Sequence, residues 1–295
     1  MTAYGRAYTQ INGTDIKSCR SRGVDRRIRP FSGGFDGTLH QTMHSGIRTA
    51  PQSQLSTADL GALLGVLTNA ETPMVALNGS TGLKMVWPKA NSAAPGDAAG
   101  SVHRSEIMAS GAVYLDGISW SAGDIAEATA TAFGINAAGT TDPVATSQVS
   151  AALPAVYPTV AYVLTAFTVN GVSITDLARF DLRLAHGAKN DDEAACYLHG
   201  KPHPTTVLHP GAGGQIAMEL SFETGDLGAT IALGNIVATF TPLNPGDIGT
   251  SGTAKTLTMV PGMLIETGPT DGTPSRRSYR ALLKHDGTNR PLTVS

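Results

Sequence analysis

Residues 216–222 read Ile216-Ala217-Met218-Glu219-Leu220-Ser221-Phe222, an unbroken alternation of apolar with small or charged side chains. A period of two puts every second side chain on one face, which describes a strand with one face buried. Phe180, Leu182 and Leu184 alternate with Asp181 and Arg183 in the same way. Around these strands, turn chemistry predicts four hairpins. Residues 74–77 and 83–87 flank Asn78-Gly79-Ser80-Thr81-Gly82, and residues 102–108 and 112–120 flank Ser110-Gly111. Residues 256–259 and 263–267 flank Pro261-Gly262, and residues 278–284 and 290–294 flank Asp286-Gly287-Thr288-Asn289. The chain reads as mainly β.

One helix interrupts this pattern. Leu60, Leu63, Leu64 and Leu67 fall at i, i+3, i+4 and i+7, which builds one apolar stripe. Ser56 or Thr57 is placed to cap its free amides, with Asp59 adding favourable charge in the first turn. Residues 123–133, rich in Ala and Thr, carry no clear stripe and are left unassigned.

The sequence also repeats itself. Tyr8-Thr9-Gln10-Ile11-Asn12-Gly13-Thr14-Asp15-Ile16 and Phe167-Thr168-Val169-Asn170-Gly171-Val172-Ser173-Ile174 each read as strand, Asn-Gly turn, strand. A polar stretch bearing His and Gly follows each copy, at residues 29–51 and 186–210, and then a strand-like segment, at residues 52–57 and 215–222. A duplication with a Gly-, Thr- and Pro-rich boundary at residues 139–158 follows, giving domains at residues 1–150 and 151–295.

Charged residues make up only 15% of the 295, against about 25% in ordinary soluble chains. Lys plus Arg (21) nearly balances Asp plus Glu (23), and Ala, Gly and Thr (39, 34 and 34) exceed a third of the chain. A formal charge of -2 argues against a dedicated nucleic-acid binder, which carries a basic excess. A surface so poor in charge suits contact with other protein. No apolar run reaches about 18 residues, and no basic-then-apolar leader opens the chain, so no membrane partner or signal peptide is expected. Cys19 and Cys196 stand far apart and read as reduced filler.

The search for catalytic chemistry comes up short. Gly117-Ile118-Ser119-Trp120-Ser121 lacks the second glycine of a nucleophile elbow, and Gly211-Ala212-Gly213-Gly214 lacks the third glycine of a dinucleotide loop and leads into a strand. His40 and His44 are four apart with no Glu between them. His199, His203 and His209 cluster, but Gly200, Pro202 and Pro204 forbid the helix that would align them on a metal. Asp191-Asp192-Glu193 lacks the alternating spacing of a calcium loop and reads as a solvated turn. No cofactor and no metal are expected, and no enzyme. Arg20, Arg22, Arg26, Arg27 and Arg29 fall within ten residues, opposed only by Asp25, and are the candidate intersubunit contact.

With Ile11-Asn12-Gly13, Val169-Asn170-Gly171 and Ser56-Thr57-Ala58-Asp59-Leu60, and Gly225-Asp226-Leu227 later in the second half, the layout resembles that of bacteriophage tail tube proteins. The resemblance implies two similar β-sandwich or barrel domains, each with at most one flanking helix. It implies a homo-oligomer, a trimer of two-domain chains or a hexamer, whose rings carry a central β-barrel and stack into a tube. Its partners would be its own copies and other tail proteins, its location the virion tail, with DNA passing through transiently and without tight binding. The polar stretches would be arms reaching a neighbouring subunit. Two other readings remain: a head decoration or head-to-tail joining protein, and a secreted-type β-domain that is an enzyme or binds carbohydrate.

Overall fold

The structure, a computed structural model, describes residues 5–6, 8–21, 23–32, 45–68, 73–87, 102–150, 160–192, 195–198, 201–209, 217–225, 234–243, 253–269, 276–284 and 290–295. It is mainly β, with large antiparallel sheets and, among the described residues, one helix. The first half holds β1 (Gly5–Arg6), β2 (Tyr8–Ile11), β3 (Thr14–Ile16), β4 (Cys19–Ser21), β5 (Arg29–Ser32), β6 (Ser45–Arg48) and β7 (Gln52–Thr57). Then come α1 (Leu60–Val66), β8 (Met74–Trp87), β9 (Val102–Ser121), β10 (Glu127–Gly134) and β11 (Val144–Ser150). The second half holds β12 (Ala161–Val169), β13 (Val172–Ser173), β14 (Arg179–Ala185), β15 (Ala217–Thr224) and β16 (Ile236–Leu243). It closes with β17 (Lys255–Met259), β18 (Pro261–Pro269), β19 (Arg277–Leu283) and β20 (Leu292–Val294).

Each half has two layers. In the first, the layers run β3-β2-β8-β9-β11 and β4-β7-β10-β9; in the second, β13-β12-β16-β17-β20 and β14-β15-β19-β18. β2, β3, β4, β7, β8, β10 and β11 have counterparts at the same places in the second half in β12, β13, β14, β15, β16, β19 and β20, while β1, β5 and β6 have none among the described residues. A further difference is β9, which runs unbroken through both layers of the first half. Its counterpart is split at Val260 into β17 and β18. Phe167 meets Phe222 at 5.1 Å and Phe180 at 6.2 Å, and Phe180 meets Phe240 at 5.6 Å, so the two layers interlock through aromatic edges. One buried cluster contains residues of both halves.

Both Asn-Gly turns are hairpins, with Asn12 at φ 49°, Gly13 at 84°, Asn170 at 50° and Gly171 at 77°. Two successive positive φ values match the right-handed twist of the flanking strands. The other four hairpins expected from turn chemistry do not form. Residues 78–83 of β8 bulge against Met108 and Ser110 of β9 instead of reversing. The β2–β3 turn fills that bulge: Asn12 Nδ2 donates to Ala76 O, Asn12 N to Gly82 O and Gly13 N to Thr81 O. Ser110-Gly111 stays extended because Gly111 pairs with Leu77 on one side and Gly134 on the other. Pro261-Gly262 opens β18 in one layer after β17 has ended in the other. Residues 286–289 lie outside the described residues, and β19 and β20, which flank them, belong to different layers.

The unassigned residues 123–133 are mostly β10. Ala128, Ala130 and Ala132 are fully buried and alternate with Thr. The helix forms over the predicted leucines, but its cap is Asp59, whose Oδ1 accepts from Ala62 N at 3.1 Å, since Ser56 and Thr57 belong to β7. Burial raises the Asp59 carboxyl above its ordinary value against the pull of bonds from the Ala62 and Lys17 amides. Asp59→Ala is therefore expected to cost about 1 kcal/mol, while Asp59→Asn, which keeps the acceptor and sheds the buried charge, stays within about 0.5 kcal/mol of the parent in urea unfolding.

Candidate assembly surface

The joint between the halves is the feature on which the surface is built. β9 pairs with β14 over Ser121↔Arg179, Trp120↔Phe180, Ser119↔Asp181, Ile118↔Leu182 and Gly117↔Arg183. It joins the β4-β7-β10-β9 layer to the β14-β15-β19-β18 layer as one sheet. Gly117 is required there, since a Cβ would sit 2.4 Å from Leu182 O.

Alternation along this sheet buries Ile118, Leu182, Leu220 and Ala281 and turns their neighbours away from the core. The outer face has one row with Arg20, Ser56, Thr129, Gly117, Arg183, Glu219, Leu282 and Met263 in register. Beside it run Glu127, Ser119, Asp181, Ser221, Arg280 and Ile265, then Arg179 and Glu223. Four arginines thus face four carboxylates. Arg280 grips Glu219 with two nitrogens, at 2.5 and 2.6 Å, and Arg183 lies 2.8 Å from Asp181. Met263, Ile265 and Leu282 are exposed at the β18 end.

The predicted arginines divide. Arg20 stands on this face, and Arg22 lies outside the described residues. Arg26 reaches Asp142 at 2.9 Å and Thr146 Oγ1 at 2.9 Å, while Arg27 and Arg29 reach Asp191 at 3.6 and 3.1 Å. Those three cations pin the segment after β4 to carboxylates of the same chain. Asp192 takes Lys189 at 2.8 Å, so the acidic turn is spoken for, and Glu193 lies outside the described residues.

The two polar stretches meet each other. Thr49 N donates to Pro202 O, Tyr197 OH to Thr49 O, and Asn190 Nδ2 to Pro51 O and Gly134 O. β5 and β6 form a separate two-stranded hairpin whose connection, residues 33–44 with His40 and His44, lies outside the described residues. His199 and residues 211–216 lie outside them too.

His203 and His209 go to different places. His203 Nδ1 shares a 2.7 Å hydrogen bond with Thr49 Oγ1, and burial lowers its pKa. Below about pH 6.5 the unfolded chain takes up that proton before the folded one does, so this contribution to stability is complete above that value and lost as pH falls. His203→Gln is expected to flatten the fall in Tm between about pH 7 and pH 5.

His209 Nδ1 shares a hydrogen bond with Tyr114 OH, a phenol that burial pushes up to about 12. The Tyr114 ring stacks 4.8 Å from His186, a residue that sequence reasoning missed. His186 Nδ1 accepts from Ala188 N at 3.0 Å, which leaves the proton on Nε2, aimed at Asp116 Oδ1 at 2.9 Å. Thr131 donates to the other Asp116 oxygen. Both imidazole nitrogens are occupied by the fold, so the His–Asp pair clamps the second polar stretch to the sheet and holds no free base. Gly117–Ser121 is straight strand, with none of the sharp turn a nucleophile elbow needs.

A cleft of about 600 Å³ opens where the joint ends, with Asp15, Asp124 and Glu127 facing Lys17, Arg20 and Arg179. Its charges balance, so it favours neither anion nor cation. Among the described residues no group of His, Cys, Asp or Glu is arranged to hold a metal ion, and no helix is long and apolar enough to cross a membrane.

The sequence matches no protein-family model and no curated protein.

Proposed function

We propose that this chain is a bacteriophage tail tube subunit: a structural virion protein whose two similar β-sandwich domains, residues 1–150 and 151–295, assemble with further copies into stacked rings around a DNA conduit. One observation carries the reading, the β9–β14 joint. Two four-stranded layers of the same strand order already lie edge to edge in one chain. Repeating that joint between chains closes a ring, and closure is the one arrangement that removes sheet edges altogether. Three chains bring six such layers. At about 4.8 Å between strands and a tilt of about 40°, the barrel is about 45–50 Å across between backbones, wider than a DNA duplex.

The outer face of the joined sheet then lines the channel. Its four arginines are matched by four carboxylates, and Arg280 and Arg183 are held by Glu219 and Asp181. Guanidinium groups already paired release few counterions from DNA, so a duplex slides past without being gripped. The low charge of the whole chain belongs to the same economy of contact between copies.

Native mass spectrometry with negative-stain microscopy tests the proposal. The expected result is a species of three chains, seen as rings that stack. Monomers alone at high concentration contradict it. Rings that never stack favour the head-to-tail joining role.

A further inference from the structure

The dipeptide Asn-Gly occurs at residues 12–13, 78–79 and 170–171. In such a pair the backbone nitrogen of Gly can attack the Asn side-chain amide, because Gly has no Cβ to block the approach. The fold treats these copies differently. At the β2–β3 turn both reacting groups are held. Asn12 Nδ2 donates to Ala76 O at 2.8 Å, Asn12 Oδ1 accepts from Asn78 N at 2.9 Å, and Gly13 N donates to Thr81 O at 3.1 Å. Asn78 is fixed through its main chain by that same bond, by Thr81 Oγ1 donating to Asn78 O at 3.0 Å, and by pairing with Ser110 of β9.

The β12–β13 turn keeps one bond, Asn170 N donating to Asn235 O at 2.9 Å, which is the counterpart of Asn12 N on Gly82 O. Asn170 and Gly171 are both exposed, and the space beside Gly171 is open. The Asn170 side chain lies against the backbone of Gly234. Among the described residues, neither its amide nor Gly171 N has a hydrogen-bond partner.

We propose that Asn170 is a site of spontaneous deamidation in the folded chain, and that the fold protects Asn12 and Asn78 from the same reaction. Gly171 N gives its proton to hydroxide and attacks Asn170 Cγ. The N–Cγ bond forms, the Cγ–Nδ2 bond breaks, and Nδ2 takes up a proton and leaves as ammonia. Water then opens the five-membered imide at either carbonyl carbon, giving an aspartate or an isoaspartate at position 170. The inference goes beyond the tube reading and does not depend on it. Each event adds one carboxylate, so the formal charge moves from -2 to -3. The isoaspartate route also inserts a methylene into the main chain of a turn whose β13 arm makes only two strand pairs, Thr168↔Ser173 and Val169↔Val172.

The test is incubation of the full chain in mildly alkaline buffer made with heavy-oxygen water, with peptide mapping by mass spectrometry around each Asn-Gly. Asn170 is expected to convert at least about tenfold faster than Asn12 or Asn78, because its reaction breaks no hydrogen bond. In guanidinium, where the fold is gone, the rates are expected to converge. Asn170→Gln, whose longer side chain closes the ring far more slowly, is expected to lose the acidic species from ion exchange. No conversion at Asn170, or equal rates at Asn12 and Asn170 in the folded chain, overturns the proposal. A lead for Asn170 that persists undiminished in guanidinium overturns it as well, since the neighbouring sequence and not the fold would then be the cause.

Discussion

Met263→Lys/Ile265→Lys is expected to give a folded chain that stays single at concentrations where the parent forms rings. Both side chains are exposed, at 44% and 42%, so replacing them removes little burial and leaves the melting temperature within a few degrees of the parent. Two ammonium groups on an open edge strand are the device natural sheets use to refuse a second chain. Ring formation should require at least about a hundredfold more protein by sedimentation velocity. Leu264→Lys, between them, is the contrast. Leu264 packs against the core from the opposite face, so that variant is expected to lose stability before any effect on assembly is read.

Phe180→Ala is expected to be the most damaging single change, at about 3–5 kcal/mol in urea unfolding. Phe180 is completely buried, stands edge-on to Phe167 and Phe240 in the facing layer, and lies opposite Trp120 and Phe222 in its own. A hole there loosens the contact between layers and the joint between halves together. Neighbouring Asp181 points away from the core, and Asp181→Ala breaks only exposed ion pairs worth less than about 1 kcal/mol. A cost below about 1 kcal/mol for Phe180→Ala would show that the joint is not held by this packing.

The contrast between adjacent residues explains what the sequence made legible. Strands at residues 180–184 and 217–222 were readable because large apolar and charged side chains alternate, and the Asn-Gly turns because their backbone demands are local. Residues 123–133 resisted because Ala and Thr differ little in hydropathy, although in β10 Ala128, Ala130 and Ala132 are fully buried while Thr129 is exposed. Asn78–Gly82, Ser110-Gly111 and Pro261-Gly262 use the residues of turns to make a bulge, a straight run and a crossing between layers, and strands distant in sequence decide which. The Arg26–Asp142, Arg29–Asp191 and Asp116–His186 contacts join residues 116, 162 and 70 positions apart, so a basic run read alone gives no sign of its carboxylates. The shared strand order of the β2–β3–β8 and β12–β13–β16 segments was legible only as the two Asn-Gly turns, because β9 is whole in one half and the corresponding run is split at Val260 in the other.

A three-dimensional reconstruction of the purified protein at high concentration tests the central claim most directly. The account predicts rings of three chains with a continuous inner barrel, in which the sheets of neighbouring copies meet edge to edge at the same strand spacing as β9 against β14. Persistent single chains, or rings in which β18 keeps an open edge, would contradict it.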